Sequence, residues 1–398
     1  MIRNCKNCAG RLIYDVQKHG LSCGSCGTIF PISAYENLSS STDDKNSDNP
    51  EDEMLDVNIF ACSSCGAEIS VTDTEASTFC IYCGNPNVIL SRVGKMKKPD
   101  AILPFTISKE DALRSVREHL SKGFFVPRSI KNFEPEMMRG IYIPYYVTKV
   151  ETDSRAVVAV TTSNGNRSIT HYHIRAGYAS MPYVSTDAST MLSDNLSQRV
   201  EPYRLKELEE FNENYLLGFY SDQADINRLE AKEMAKQRAH EAVDEKVLSE
   251  FGSNAQFYRN VFAGEIYEEP KLVMLPAWFL TLRYKDKPYT IVVNGQTGKT
   301  VGGMPWNKAI FIALVVLLSI VFAVAATFIF YGLFYVLVHA KHTRNSSKSK
   351  GKLIGLIVAA IVAAFSAGIS KIRKVLASIS RATENSLISF VSKRQKGD

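Results

Sequence analysis

Thirty consecutive residues, Ala309 to Val338, carry no charge and read almost entirely as Ile, Leu, Val, Ala and Phe. As a helix at about 1.5 Å per residue they cover about 45 Å, against about 30 Å of bilayer hydrocarbon, so the run can span with length to spare. Trp306 precedes it, and Tyr331 and Tyr335 lie in its last turns, where amphipathic rings suit the headgroup level. A buried helix of a soluble domain seldom exceeds about twenty residues without a polar face. The run therefore predicts a transmembrane helix over 309–338, with everything before it held at a membrane. Lys341–Lys352 follows with five basic residues, and Leu353–Ser370 then supplies eighteen uncharged ones, the lower limit for a second span. The expectation is a helical hairpin with spans at 309–338 and 353–370, hence a multi-pass membrane protein. The tail, 371–398, places Ile372, Val375, Leu376, Ile379, Leu387, Phe390 and Val391 near helical spacing among basic residues, a pattern suited to an anionic surface.

The distribution of charge matters more than the net +6. Residues 1–100 hold 9 Lys/Arg and 13 Asp/Glu, 101–338 hold 26 of each, and 339–398 hold 12 basic and 2 acidic residues. The basic excess lies beside the apolar runs, where it meets anionic headgroups; a nucleic-acid reader is expected to put it on the folded domain. The opening residues Met1-Ile2-Arg3-Asn4-Cys5 offer no apolar run for a signal peptide, so insertion is expected to depend on the late apolar segment.

All eight cysteines lie before residue 84, in four Cys-x-x-Cys pairs: Cys5/Cys8, Cys23/Cys26, Cys62/Cys65 and Cys80/Cys83. Fourteen residues separate the pairs within each half, Ala9–Ser22 and Gly66–Phe79, so the pattern is an internal repeat. Two thiolates three residues apart on a tight turn can face one metal, and two such turns joined by a short hairpin complete a tetrahedron with Zn–S near about 2.3 Å. Gly24, Gly27, Gly66 and Gly84 follow cysteines directly, where positive φ turns amides toward sulfur, while the first knuckle has Ala9 before Gly10. Ile13-Tyr14 and Ile69-Ser70-Val71 supply strand character. The reading is two four-cysteine ribbons, 1–35 and 58–92, each holding one structural Zn2+, with iron as the alternative metal. Disulfides are the competing reading, which a reducing compartment disfavours. Between the ribbons, 36–57 is rich in Ser, Asp, Glu and Asn and is expected to be a flexible acidic linker.

Combined with Pro144-Tyr145-Tyr146, Leu275-Pro276-Ala277-Trp278 and Asn294-Gly295-Gln296-Thr297-Gly298-Lys299, the cysteine pattern resembles the bacterial TFIIB-type zinc-ribbon membrane proteins. The resemblance implies a membrane-bound scaffold or recruiter, partners of the phage-shock-protein-A or flotillin-like (SPFH) membrane-stress class, and no catalytic residues.

The middle region, 100–305, reads as an α+β domain. Ser108 with Asp111 three residues on is a capping box opening a helix striped by Leu113, Val116 and Leu120 and ended by Gly123. A longer helix is expected over 225–251 with Ile226, Leu229, Met234, Val243, Val247 and Leu248 as its apolar positions and Gly252 as its stop. Strands are expected at 141–150, 155–162, 168–176, 271–284 and 289–293, with Asn294-Gly295 as a tight turn. The segments 141–160 and 273–293 look alike, which suggests two related halves, and Pro144 and Pro276 argue for edge positions or bulges. Tyr142, Tyr145, Tyr146, Trp278 and Phe279 are expected in the core.

Catalytic candidates are few. His171 and His173 share one strand face, without an Asp or Cys at ligand spacing; His240-Glu241 lacks the second histidine of a zinc-protease helix; no phosphate loop, nucleophile elbow or dinucleotide fingerprint occurs. Closed tetrathiolate sites leave no position for substrate. The fold class expected is thus multidomain: two small β zinc ribbons, an α+β domain and a transmembrane hairpin. The function expected is that of a non-enzymatic membrane adaptor recruiting cytoplasmic proteins, self-association included among its contacts. A membrane-tethered nucleic-acid or RNA-polymerase binder, using the basic cluster Arg92, Lys95, Lys97 and Lys98, is the alternative. The basic loop 341–352 and the basic tail pull orientation in opposite senses; reduced thiolates place the ribbons and both termini on the cytoplasmic side.

Overall fold

The computed structural model describes residues 3–35, 54–71, 80–85, 88–123, 125–164, 167–190, 194–285 and 287–339. The expected linker up to residue 53, the second apolar run 353–370 and the tail 371–398 lie outside the described residues. In chain order the strands and helices are β1 (Leu12–Asp15), β2 (Gly20–Cys23), β3 (Ile29–Phe30), β4 (Met54–Cys62), β5 (Glu68–Val71), β6 (Val88–Lys97), β7 (Ala101–Ile102), α1 (Lys109–Ser121), α2 (Arg128–Lys131), β8 (Met138–Asn164), β9 (Arg167–Asp187), α3 (Asp194–Val200), β10 (Glu209–Glu210), β11 (Tyr220–Ser221), α4 (Arg228–Ser249), β12 (Ala255–Tyr267), β13 (Lys271–Tyr284), β14 (Lys287–Asn294), β15 (Thr300–Gly302) and α5 (Lys308–His339). Contacts divide the described residues into two units: those up to Val116 together with Glu134–Val301, and Arg117–Phe133 together with the residues from Gly302 to the end of α5.

In the first unit β1, β2 and β3 form a small antiparallel sheet, and the other strands form a twelve-stranded mixed sheet ordered β10-β7-β13-β8-β11-β5-β4-β6, with β9 and β12 added to β8, β14 to β13, and β15 to β14. Its centre is the antiparallel pair β8–β13, in register Met274 opposite Pro144 and Pro276 opposite Tyr142. Tyr142, Tyr145, Tyr146, Trp278 and Phe279 are all buried there. The prolines are central, not at an edge. Each sits one residue beyond the end of a hairpin ladder: Tyr145 pairs with Asp187 and the next amide, Ala188, donates to the Pro144 carbonyl; Ala277 pairs with Asn294 and the Gly295 amide donates to the Pro276 carbonyl. The donor that proline lacks is thus missing where each ladder stops.

The same arrangement occurs twice around this pair. A short strand runs parallel beside each long one, β7 beside β13 and β11 beside β8. The chain after each short strand sends two consecutive amides to one carbonyl, Thr106 and Ile107 to Gly295, Asp225 and Ile226 to Ala188. An aromatic closes each corner: Trp278 Nε1 donates to the Ile107 carbonyl at 2.9 Å, and Tyr146 Oη to the Ile226 carbonyl at 3.1 Å. A polar cap then opens a helix in each half. Ser108 Oγ accepts from the Asp111 amide at 3.2 Å while donating to its carboxylate at 2.8 Å, and Asn227 Oδ1 accepts from the Glu230 amide at 2.9 Å.

Three expectations need correction. First, α4 buries Ala231, Ala235 and Ala239, while Leu229 is 73% exposed. An alanine at every fourth position lets the helix lie close on the sheet, where Ala231 packs with Tyr146, Ala188 and Leu272, and Ala235 and Ala239 pack with Val150 of β8 and Val184 of β9. The larger apolar residues stand aside from that seam. Second, residues 58–92 are not a freestanding ribbon: β5 pairs with β11 (Tyr220 opposite Val71), so the metal-bearing strands are part of the large sheet. Third, the hairpin and the multi-pass arrangement give way to one joined helix. Among the described residues a single stretch, Ala309–Gly332 within α5, is long and apolar enough to cross a bilayer; its mean hydropathy reaches 3.1 and none of the window is buried.

Candidate metal centres

Each cysteine pair stands on the same backbone turn. The amide four residues after the first cysteine returns to that cysteine's carbonyl: Ala9 to Cys5, Gly27 to Cys23, Gly66 to Cys62 and Gly84 to Cys80, at 2.8–2.9 Å. The first cysteine's own amide donates to the carbonyl five residues on: Cys5 to Gly10, Cys23 to Thr28, Cys62 to Ala67 and Cys80 to Asn85. The returning residue has positive φ in all four turns, 58° at Ala9 and 66–71° at Gly27, Gly66 and Gly84. Three glycines thus take a conformation that costs them little, and Ala9 takes it in spite of its Cβ. Gly24 is not among the positive-φ residues, so that part of the expectation does not hold.

The turns bring the thiols together as two tetrads, Cys5/Cys8/Cys23/Cys26 and Cys62/Cys65/Cys80/Cys83, with all sulfurs of a tetrad within 4.8 Å of one another. Sγ–Sγ separations are 3.7 Å for Cys5–Cys26, 3.5 Å for Cys8–Cys23, 3.7 Å for Cys62–Cys83 and 3.8 Å for Cys65–Cys80. A tetrahedron with metal–sulfur bonds of about 2.3 Å has edges of about 3.8 Å, whereas a disulfide needs about 2.05 Å. All eight thiols are free. The Asn7 and Gly10 amides point at the sulfurs of Cys5 and Cys8 at 3.4 Å each, as expected for thiolate acceptors. Both tetrads fit structural Zn2+.

Electrostatics gives the same answer. Four thiols this close cannot all ionise alone: within the second tetrad the Cys65 thiol and its neighbours pull Cys62 down, while the Cys62 and Cys65 thiols push Cys80 up. A divalent cation removes that conflict. In the first tetrad, hydrogen bonds from the Thr28 hydroxyl and amide draw Cys26 down to about 6.

The tetrads differ in their surroundings. In the first, Cys8 and Cys26 are exposed and Cys5 and Cys23 buried; in the second, all four are buried. The second tetrad belongs to an apolar core cluster together with Ile81, Tyr82, Tyr145 and Phe279. Thr281 Oγ1 donates to the Ile81 carbonyl at 2.5 Å and Thr290 Oγ1 to the Tyr82 carbonyl at 3.3 Å, so β13 and β14 hold the Cys80–Cys83 turn from behind. Nearby, burial raises the Asp222 carboxyl to about 6, and Asp222 accepts from Ser189 Oγ at 2.7 Å. The first ribbon is docked by its backbone: the Tyr14 amide donates to the Leu217 carbonyl, and Asn214 Nδ2 donates to the Tyr35 carbonyl at 2.9 Å.

The remaining candidates do not assemble a site. His171 is exposed, His173 lies 5.0 Å from the Phe251 ring, and neither joins a metal-competent group among the described residues. His240 pairs with Glu265 at 2.6 Å and stacks on Phe262. Within the basic cluster on β6, Arg92 is paired with Glu68 at 3.1 Å. A groove of about 640 Å³ runs past Tyr14, Lys109, Arg139, Phe219 and Trp278 and includes none of the eight cysteines.

Two cysteine tetrads and one membrane-length helix are together consistent with a membrane-associated metal-binding protein. Among known proteins the chain is similar to the uncharacterized protein YdjG of Bacillus subtilis (strain 168), at 26% identity over 323 residues, covering 76% of this chain and 90% of that protein. No family model and no solved structure matches.

Proposed function

We propose that this chain is a membrane-anchored, non-catalytic adaptor whose metal sites shape a rigid surface for binding partner proteins. The observation that carries the reading is α5: a soluble core helix of this hydropathy would be covered, and none of the Ala309–Gly332 window is. Closed tetrathiolate cages add rigidity without an open coordination position, which favours binding over chemistry. On this reading the two cages do different work, which their unequal exposure supports. The second is sealed in the core and serves the fold; the first turns its Cys8 and Cys26 knuckles outward, beside the exposed Gly24, Ser25 and Gly27, and is the face available to a partner. The resemblance to TFIIB-type zinc-ribbon membrane proteins supports partners of the phage-shock-protein-A or SPFH class and a role in envelope stress.

The test is affinity capture of the full-length, detergent-solubilised protein with identification of what accompanies it, run beside Ser25→Arg, which alters the first knuckle's surface and leaves the thiols in place. A defined protein partner captured by the native chain and lost from the variant is expected. Capture of lipids and chaperones alone would remove the adaptor reading, and recovery of the full-length chain in the soluble fraction would remove the anchor.

A further inference from the structure

The start of α5 is clamped to a separate piece of chain in the same unit. Asn307 caps the helix, its Oδ1 accepting from the Ala309 amide at 3.0 Å, and its own amide donates to the Phe125 carbonyl at 2.9 Å. Phe311, one turn in, is held edge-on by two rings, Trp306 at 5.4 Å and Phe125 at 5.3 Å. Residues 125–133 are thereby fixed at the point where the apolar run begins. Val126, Ile130 and Phe133 are buried, while Arg128 is exposed and Lys131 half-buried, three residues apart on the one turn of α2.

Charge on this piece is predominantly basic. Residues 117–133 carry Arg117, Lys122, Arg128 and Lys131 against Glu118 alone. Two of the cations are engaged, Lys122 with Glu118 at 2.8 Å and Arg117 over the Phe133 ring at 5.9 Å. Arg128 and Lys131 make no ion pair among the described residues. A solvated basic loop is the plain alternative, but such a loop need not be bolted to a membrane helix by a backbone hydrogen bond and an aromatic sandwich. Trp306 marks the headgroup level, and cations held there face lipid phosphates.

We propose that residues 125–133, clamped to the first turn of α5, form a docking site for anionic phospholipid headgroups, with Arg128 and Lys131 as the phosphate-binding side chains. This rests on reading α5 as the membrane anchor. In sequence the site stands apart from the basic tail, 371–398.

Trp306 supplies a local probe. The full-length chain is reconstituted in phosphatidylcholine vesicles containing equal small fractions of either brominated phosphatidylcholine or brominated phosphatidylglycerol, and quenching of Trp306 is read after subtraction of a Trp306→Phe blank. Both lipids are expected to quench, phosphatidylglycerol the more strongly. Arg128→Gln/Lys131→Gln is expected to bring phosphatidylglycerol down to the phosphatidylcholine level, each cation being worth about fivefold in association, and Arg128→Lys/Lys131→Arg to keep the preference. Equal quenching by the two lipids in the native chain would overturn the docking site and leave the anchor standing. A preference that survives the double Gln variant would assign it to other charges and also overturn it. Quenching by neither lipid would remove the anchor and the site together.

Discussion

The unequal burial of the two tetrads can be tested by removing one sulfur from each. Releasing the Cys80–Cys83 turn would expose Ile81 and Tyr82, which are 4% and 0% accessible. Their apolar surface is about 300 Å², so the release costs about 7 kcal/mol at about 25 cal/mol per Å². That is of the order of the whole stability of a domain, about 5–15 kcal/mol. Releasing the Cys23–Cys26 turn uncovers little, because Gly24, Ser25, Cys26 and Gly27 are already exposed; the main sheet should lose no more than about 1 kcal/mol. Metal content by elemental analysis and thermal unfolding by circular dichroism, on the detergent-solubilised chain, separate the cases. Cys26→Ser should drop from two bound metals to one and shift the main transition by less than about 4 °C, whereas Cys80→Ser should lower it by roughly 15–30 °C or abolish it. Equal shifts in the two variants, or a Cys80→Ser protein that loses one metal while its main transition stays in place, would refute the claim that the second cage is part of the core. The same elemental analysis decides between zinc and iron.

Other substitutions probe single links. Ala9→Gly should stabilise the first ribbon by about 1 kcal/mol, since glycine accepts φ 58° without the Cβ penalty, and Gly27→Ala should cost about 1–2 kcal/mol through φ alone, because a Cβ there meets nothing within 4 Å; metal-dependent unfolding of the ribbon reads both. On α4, Ala235→Leu should destabilise by about 1–3 kcal/mol by overpacking the seam with β8, while Leu229→Ala should stay within about 0.5 kcal/mol; denaturant midpoints check the contrast. Asp222, whose folded pKa of about 6 lies above its unfolded value of 3.8, is neutral in both states well below 3.8; its cost to the fold builds as pH rises from about 4 to about 6 and stays constant above that. Asp222→Asn should therefore gain stability relative to the native chain between pH 4 and 7, by up to about 3 kcal/mol, measured as the difference between the two chains at each pH.

What the sequence discloses here is what depends on near neighbours. The tetrads follow from Cys-x-x-Cys spacing, the cap of α1 from Ser108 and Asp111, and the membrane-length helix from an unbroken apolar run. The errors come from contacts made across the chain. Nothing near Val71 announces its pairing with Tyr220, so the second ribbon reads as a separate module. On α4 the Leu, Val and Met residues point to the wrong face; the actual seam is three alanines, which carry too little hydrophobicity to stand out and are needed because β8 and β9 lie close. Pro144 and Pro276 look like edge residues until the ends of their ladders are known. Identical spacing also hides the difference between a half-exposed tetrad and a sealed one.

That difference follows from where the repeated core is left open. Around β8 and β13 the two halves match strand for strand as far as β7 and β11, and there they part. Beyond β7 the sheet continues for only the two residues of β10, Glu209 opposite Ile102 and Glu210 opposite Ala101. Beyond β11 it continues through β5, β4 and β6, the strands that carry and flank the second tetrad. A two-residue β11 is too short to hold three further strands by its own hydrogen bonds. The tetrad and the Thr281 and Thr290 hydroxyls behind it supply the missing attachment, by tying the Cys80–Cys83 turn to β13 and β14. The second metal is therefore needed where the sheet is weakest in backbone pairing, and its removal should free β4–β6 first, as a block, with the β8–β13 pair weakened but opening later. Hydrogen exchange on the chelated protein reads this directly: amides of Asn58–Cys62 should lose protection well before those of Ile141–Val147. Simultaneous loss across both segments would show that the metal supports the repeated core itself and not its extension.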